Sequence, residues 1–158
     1  MPKTESKPVD DQAAEILADA RKEAAAQRLL DSLRADSGKR QAEARAADPA
    51  DPVTADQAAD FSDKATEAAD LADTVVAAAG LDKKDLMPQV RAARRQELEQ
   101  NLGQWRKTLA IHQSFLDDPA SWGGVDIGGQ PLDADEQAAH VKSYQAAIAD
   151  AEAELAVK

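Results

Sequence analysis

Cysteine is absent from this 158-residue chain. That rules out a disulfide framework, a thiolate nucleophile and a Cys-ligated zinc site together, and it fits a reducing compartment. Aromatic residues are nearly as scarce, with two Trp, two Phe and one Tyr. Leu, Ile, Val and Phe together fill only 27 positions, about 17% of the chain, which with a net charge of −11 approaches the composition of chains too poor in apolar bulk to fold. No apolar run comes near the roughly 20 residues that span a bilayer. The opening Met1-Pro2-Lys3-Thr4-Glu5-Ser6-Lys7-Pro8 lacks the apolar centre of a signal peptide. The expectation is a cytoplasmic protein without a membrane span, or part of a virus particle assembled in that compartment. Catalytic signatures are missing too: there is no nucleophile elbow, no Walker-type glycine loop, no dinucleotide fingerprint and no helical His-Glu-x-x-His. No enzyme, no cofactor and no small-molecule substrate are expected.

What the chain has is alanine, at 36 positions. Alanine loses no side-chain entropy in a helix yet buries little area, so such helices form readily and pack only where their axes approach closely. Long thin helices are expected rather than a compact globule. The large apolar residues favour the second half, with sixteen of the 27 in residues 81–158. Both halves are acidic, at −7 and −4, so each repels a phosphate backbone on average and general nucleic-acid binding is disfavoured.

Along the chain, residues 1–9 read as a disordered lead-in. An N-terminal helix over 10–47 follows, capped by Asp10 or Asp11, with an apolar face of Ala13, Ile16, Leu17, Ala20 and Ala24 that drifts in phase to Ala26, Leu29, Leu30 and Leu33. Ser37-Gly38 is a plausible stop within it. Pro49 and Pro52 mark a hinge over 48–53. Thr54 and Gln57 have the spacing of a capping box and open a helix over 54–80. Its seam is Ala58, Phe61, Ala65, Ala68, Ala72, Val75 and Ala79, small enough to demand a closely packed partner helix, and Gly80 ends it. Residues 81–158 form the best folding unit. A helix with Pro88 in its first turn carries Leu86, Val90 and Ala93, then Leu98, Leu102, Trp105, Leu109, His112 and Leu116. The skip from 93 to 98 predicts a bend or change of partner near Arg94 to Glu97. Asp133 with Glu136 opens the last helix, with Val141, Tyr144, Ile148, Ala151 and Leu155 on one face. The stripes Leu98 to Leu116 and Ala138 to Leu155, each roughly 26 Å long at 1.5 Å per residue, match as an antiparallel pair.

Between them the helical pattern stops over 117–132, a segment holding four of the seven glycines. Ile127-Gly128-Gly129-Gln130 suits a two-residue type I′ turn. Trp122, Val125, Ile127 and Leu132 either plug the open end of the helix pair or present a knob to a partner, with Trp122 as its anchor. Calcium is a weaker reading, because Asp117, Asp118 and Asp126 match no EF-hand spacing. His112 and His140 lie on different helices and show no third ligand, so no metal site is expected. Lys83, Lys84, Arg91, Arg94 and Arg95 form the basic cluster; it reads as a solvated face with an Arg95–Glu99 pair, or as a contact for an acidic partner or nucleic acid.

The fold class expected is all-α, with elongated helices, a C-terminal antiparallel, coiled-coil-like helical hairpin and a long Gly-rich connecting loop. The function expected is non-enzymatic and structural: a scaffold, adaptor, or virion or bacteriophage assembly component that binds protein partners as a homo-oligomer or larger assembly. Partner-contact candidates are Trp122, Val125, Ile127, Phe61, Val75, Arg91, Arg94 and Arg95. Two alternatives stand beside it. One is an amphipathic-helix protein coating a lipid or polymer surface, similar to phasins in composition. The other is a nucleic-acid-associated regulator using the Arg91 patch.

Overall fold

The computed structural model describes residues 8–46 and 53–157. Among them the chain is all-helical: α1 spans Val9–Ala46, α2 Ala55–Ala78, α3 Lys83–Asp117 and α4 Ala134–Ala156. A single 3₁₀ turn, Pro119–Trp122, and an isolated antiparallel bridge between Val125 and Pro131 lie between α3 and α4. Of the lead-in expected over 1–9 and the hinge expected over 48–53, residues 1–7 and 48–52 fall outside the described residues; Pro8 directly precedes α1, Val9 is helical and Val53 directly precedes the cap of α2.

The helix ends follow from local hydrogen bonding. Asp10 and Asp11 do not cap α1; they lie in its first turn, where the Pro8 carbonyl accepts from the Asp11 and Gln12 N–H groups. There the carboxylates still meet the positive end of the helix dipole. At α2 the Thr54 hydroxyl accepts from the Gln57 N–H and the Gln57 side chain accepts from the Thr54 N–H. At the other end Gly80, with φ 69°, closes a Schellman motif in which the Leu81 N–H reaches the Val76 carbonyl and the Gly80 N–H that of Ala77. The Asp82 side chain caps α3 by accepting from the Lys84 N–H, so the helix starts at Lys83. Pro88 is therefore its sixth residue, not a first-turn residue, and one intrahelical bond is lost there. Asp133 caps α4, accepting from the Asp135 and Glu136 N–H groups.

The stop expected at Ser37-Gly38 does not occur, since α1 runs unbroken through both residues. A helical glycine costs about 1 kcal/mol against alanine, and here tertiary contacts outweigh that cost. The Ser37 hydroxyl is buried and donates to Asp150 at 2.9 Å. The Phe61 ring lies over Gly38, 3.6 Å from where a Cβ would stand.

Two apolar clusters hold the helices together. Ala25 and Leu29 of α1, Ala72 and Val76 of α2, and Leu86 and Val90 of α3 form the first. Phe61 packs on Gly38 and Ala72 on the Ala25–Leu29 turn, so α1 and α2 run antiparallel and α1 supplies the close partner that the alanine seam requires. The second cluster joins Leu98 and Leu102 of α3 to Ala151 of α4, flanked by Trp105, Ile148 and Leu155. Thus α3 changes partner between Val90 and Leu98 without a break in the helix. Two seam positions are corrected. Val76 is the buried residue of its pair and Val75 only flanks the cluster; Phe115 is buried where Leu116 was expected, because Trp122 folds back against Phe115.

Candidate functional site

Three regions carry polar or exposed apolar groups that apolar packing alone does not explain. The first is the junction of α1, α3 and α4. Arg94 falls in the gap between the two seam phases of α3 and so points inward, with only 8% of its surface exposed. Its Nε and Nη2 donate to the two carboxylate oxygens of Glu154 at 3.0 and 3.2 Å, and its Nη1 donates to Glu97 at 2.9 Å. Glu97 also accepts from Arg34 of α1 at 2.9 Å. Asp150, one turn before Glu154, accepts from Ser37 and Gln41, and Arg40 pairs with Asp36 and Glu154. Burial acts to lower the Arg94 pKa, but the hydrogen bonds and charges of Glu154 and Glu97 outweigh it, so the net direction is up. The guanidinium is held charged. Among the described residues no buried side-chain nitrogen or oxygen lacks a hydrogen-bond partner, so the network is saturated and specifies how α4 sits against α1 and α3. Sequence reasoning gave Arg94 to the basic cluster and missed this network. The signal available was the skip from Ala93 to Leu98, which forces one polar residue of α3 into the interior.

Beside the junction runs a groove of about 720 Å³, with Arg91, Arg95, Leu33 and Leu155 among its lining. Arg91 is exposed. Arg95 pairs with Glu99 one turn on, at 3.2 Å, and Lys83 pairs with Asp73 of α2 at 2.9 Å. The basic cluster is thus divided: Arg94 faces inward, Arg95 and Lys83 are paired on the surface, and Arg91 opens to solvent.

The second region is the far end of α3 and α4. His112 stacks on His140 with ring centroids 4.7 Å apart and on Tyr144 at 5.7 Å. Its Nδ1 lies 2.6 Å from the Oε1 of buried Gln137. The two histidines do meet, face to face, so their ring nitrogens do not converge on one point. Among the described residues no group of three or more His, Cys, Asp or Glu side chains is placed to hold a metal ion. Trp122 packs on Phe115 with centroids 4.5 Å apart and a 53° tilt, yet remains 41% exposed. It covers part of Phe115 and leaves part of the indole to solvent. Val125 and Ile127 are exposed. The turn that contains Ile127 is not type I′. Gly129 has positive φ and Gly128 does not; the Gly129 N–H reaches the Asp126 carbonyl, while the Asp126 carboxylate accepts from the Gly128 and Gln130 N–H groups. That is a three-residue loop in which only its last residue needs the left-handed region.

The third region is the start of α1. Every residue from Val9 to Glu23 is exposed, as is Ala24 just before buried Ala25. Val9, Ile16 and Leu17 are 79, 68 and 58% exposed. This sixteen-residue arm is about 24 Å long at 1.5 Å per residue; Asp19, Lys22 and Glu23 near its end share a groove with Gln89, Val90 and Ala93 of α3, while Val9, Ile16 and Leu17 belong to neither apolar cluster. Of the remaining candidates, Phe61 is half-exposed over Gly38, with the Lys64 ammonium 5.8 Å from its ring, and Val75 packs inward. No protein-family model, curated protein or solved structure matches the chain. No helix among the described residues is long and apolar enough to cross a membrane.

Proposed function

We propose that this chain is a non-enzymatic assembly protein: a scaffold, adaptor or particle component, cytoplasmic or built into a virus particle, that works through helix–helix contacts. One observation carries the reading. The bundle from Ala25 onward packs into two apolar clusters within one copy, whereas Val9, Ile16 and Leu17 of the arm before it are exposed and belong to neither cluster among the described residues. Most of a helix's stability in a protein comes from packing of its apolar face, and these three side chains have no such packing in the apolar clusters. The coiled-coil-like α3–α4 hairpin supports the same reading from the other end, where its Gly-rich loop shows Trp122, Val125 and Ile127. The withdrawn charged groups Arg94, Glu97 and Glu154 pair with one another, which favours a structural role for them over acid–base work. A nucleic-acid role is left with little of its patch once Arg94 is turned inward and Arg95 is paired.

A surface-coating role would use the same arm against lipid, and one experiment separates the two. Light scattering of the full chain at about 100 µM, a concentration at which even weak contacts are populated, is expected to show species larger than a monomer. Vesicles of phosphatidylcholine and phosphatidylglycerol are expected to sediment without it. A monomer, or firm vesicle binding, would overturn the assembly reading.

A further inference from the structure

We infer that the arm of α1 pairs antiparallel with the arm of a second copy of this chain, about a two-fold axis that passes between Ile16 and Leu17. This deepens the assembly reading and rests on it. The exposed stripe of the arm is Val9, Ala13, Ile16, Leu17, Ala20 and Ala24. Its positions are spaced alike from either end. Reversing the direction places Val9 level with Ala24, Ala13 with Ala20, and Ile16 with Leu17. A two-fold contact uses one patch twice and needs that self-complementarity. The bulky pair stands at the centre and alanines lie on both sides, so two axes can approach closely with Ile16 and Leu17 as the central contact.

Charge placement fits this arrangement. At 100° per residue Asp10 and Arg21 lie on one flank of the stripe, and Gln12 and Glu23 lie on the other. In an antiparallel two-fold pair like flanks face each other. Asp10 of one copy then comes within about 3 Å, measured along the axis, of the level of Arg21 in the other, and the symmetry makes this pair twice. On the opposite flank Gln12 of one copy comes within about 3 Å, along the axis, of the level of Glu23 in the other. Direction is set by the rest of the chain. The bundle begins immediately after the arm, at buried Ala25. A parallel pair would force two acidic bundles side by side at that point, whereas an antiparallel pair holds them at opposite ends of a rod about 24 Å long. Two sixteen-residue helices bury less than the roughly 1,600 Å² of a standard interface, so the dimer must dissociate on dilution.

The lack of cysteine gives a clean background for cross-linking. With a short bis-maleimide at about 100 µM protein, Ile16→Cys is expected to link to itself, because its two copies stand one residue apart along the axis. Val9→Cys alone places its thiols about 22 Å apart along the axis and is expected not to link. A mixture of Val9→Cys with Ala24→Cys is expected to link, and to lose the link when both chains also carry Ile16→Asp and Leu17→Asp. These positions are exposed, so helicity measured by circular dichroism should confirm an intact bundle in each variant. Self-linking of Val9→Cys, or absence of the mixed link, would overturn the antiparallel pair. If light scattering of the same unlinked samples still shows species larger than a monomer, the arm pairing alone falls. If it shows a monomer, the assembly reading falls with it.

Discussion

Replacing Arg94 by methionine removes the charge at the three-helix junction while keeping an unbranched apolar stem of similar reach. Its side chain is 10% exposed, against 20% for Glu154 and 27% for Glu97, and it makes three charge-assisted hydrogen bonds. Stranding a carboxylate in a fully buried pair costs about 3–5 kcal/mol. Here both carboxylates keep some solvent and a second guanidinium, Arg40 for Glu154 and Arg34 for Glu97. Screening and those partners reduce the expected loss to about 2–3 kcal/mol, or about 5–10 °C in Tm for a chain of this size. Urea unfolding followed by circular dichroism measures it. The sharper test is the double variant Arg94→Met with Glu154→Leu, which leaves no stranded partner at that position. It is expected to cost less than Arg94→Met alone. If the two losses simply add, or if Arg94→Met is neutral, the junction does not hold α4 in place by this ion pair. Because the folded pKa of Arg94 lies above its ordinary value, the stability that its charge supplies is complete below the unfolded pKa and is lost only as pH rises through the folded one. From about pH 6 to pH 10 its own titration should therefore contribute no slope to stability.

Other variants probe the helices and the loop. Gly38→Ala adds a Cβ at ordinary contact distance from the Phe61 ring, and Gly103→Ala adds one into open space. Both sit inside helices without positive φ, so each should raise stability by about 0.5–1 kcal/mol in thermal or urea unfolding; a loss at Gly38 would mean that Phe61 needs a closer approach than its present position. Trp122→Ala uncovers Phe115, and with part of the indole already in solvent the expected loss is about 1–2 kcal/mol. Unchanged stability would show that Trp122 does not serve as a cover for the helix end.

Much of the helical layout was legible because it depends on local chemistry. Alanine fixes where helices form, and Thr54 with Gln57, Gly80 and Asp133 supply caps whose hydrogen bonds need only a few neighbouring residues. The skip between Ala93 and Leu98 marked the place where α3 changes partner, since a straight helix cannot keep two stripe phases on one neighbour. What sequence could not show depended on contacts distant in the chain. Ser37 and Gly38 look like a helix stop until Asp150 and Phe61 meet them. Arg94 looks like surface charge until Glu154, sixty residues on, is placed beside it. Phe115 outranks Leu116 only because Trp122 folds back, and the turn at Gly129 is decided by the Asp126 carboxylate. The palindromic stripe of the arm was in the sequence throughout. It gained meaning once the bundle was seen to close without it.

In the assembly proposed, one copy completes the bundle from Ala25 onward and leaves the arm incomplete. Hydrogen exchange along α1, read residue by residue at several protein concentrations, tests this most directly. Amides from Leu29 to Gln41 should be protected at every concentration, while those from Gln12 to Ala24 should exchange rapidly when dilute and gain protection as concentration rises to about 100 µM. Protection of Gln12 to Ala24 that is already full at the lowest concentration, or never develops at the highest, would contradict the claim.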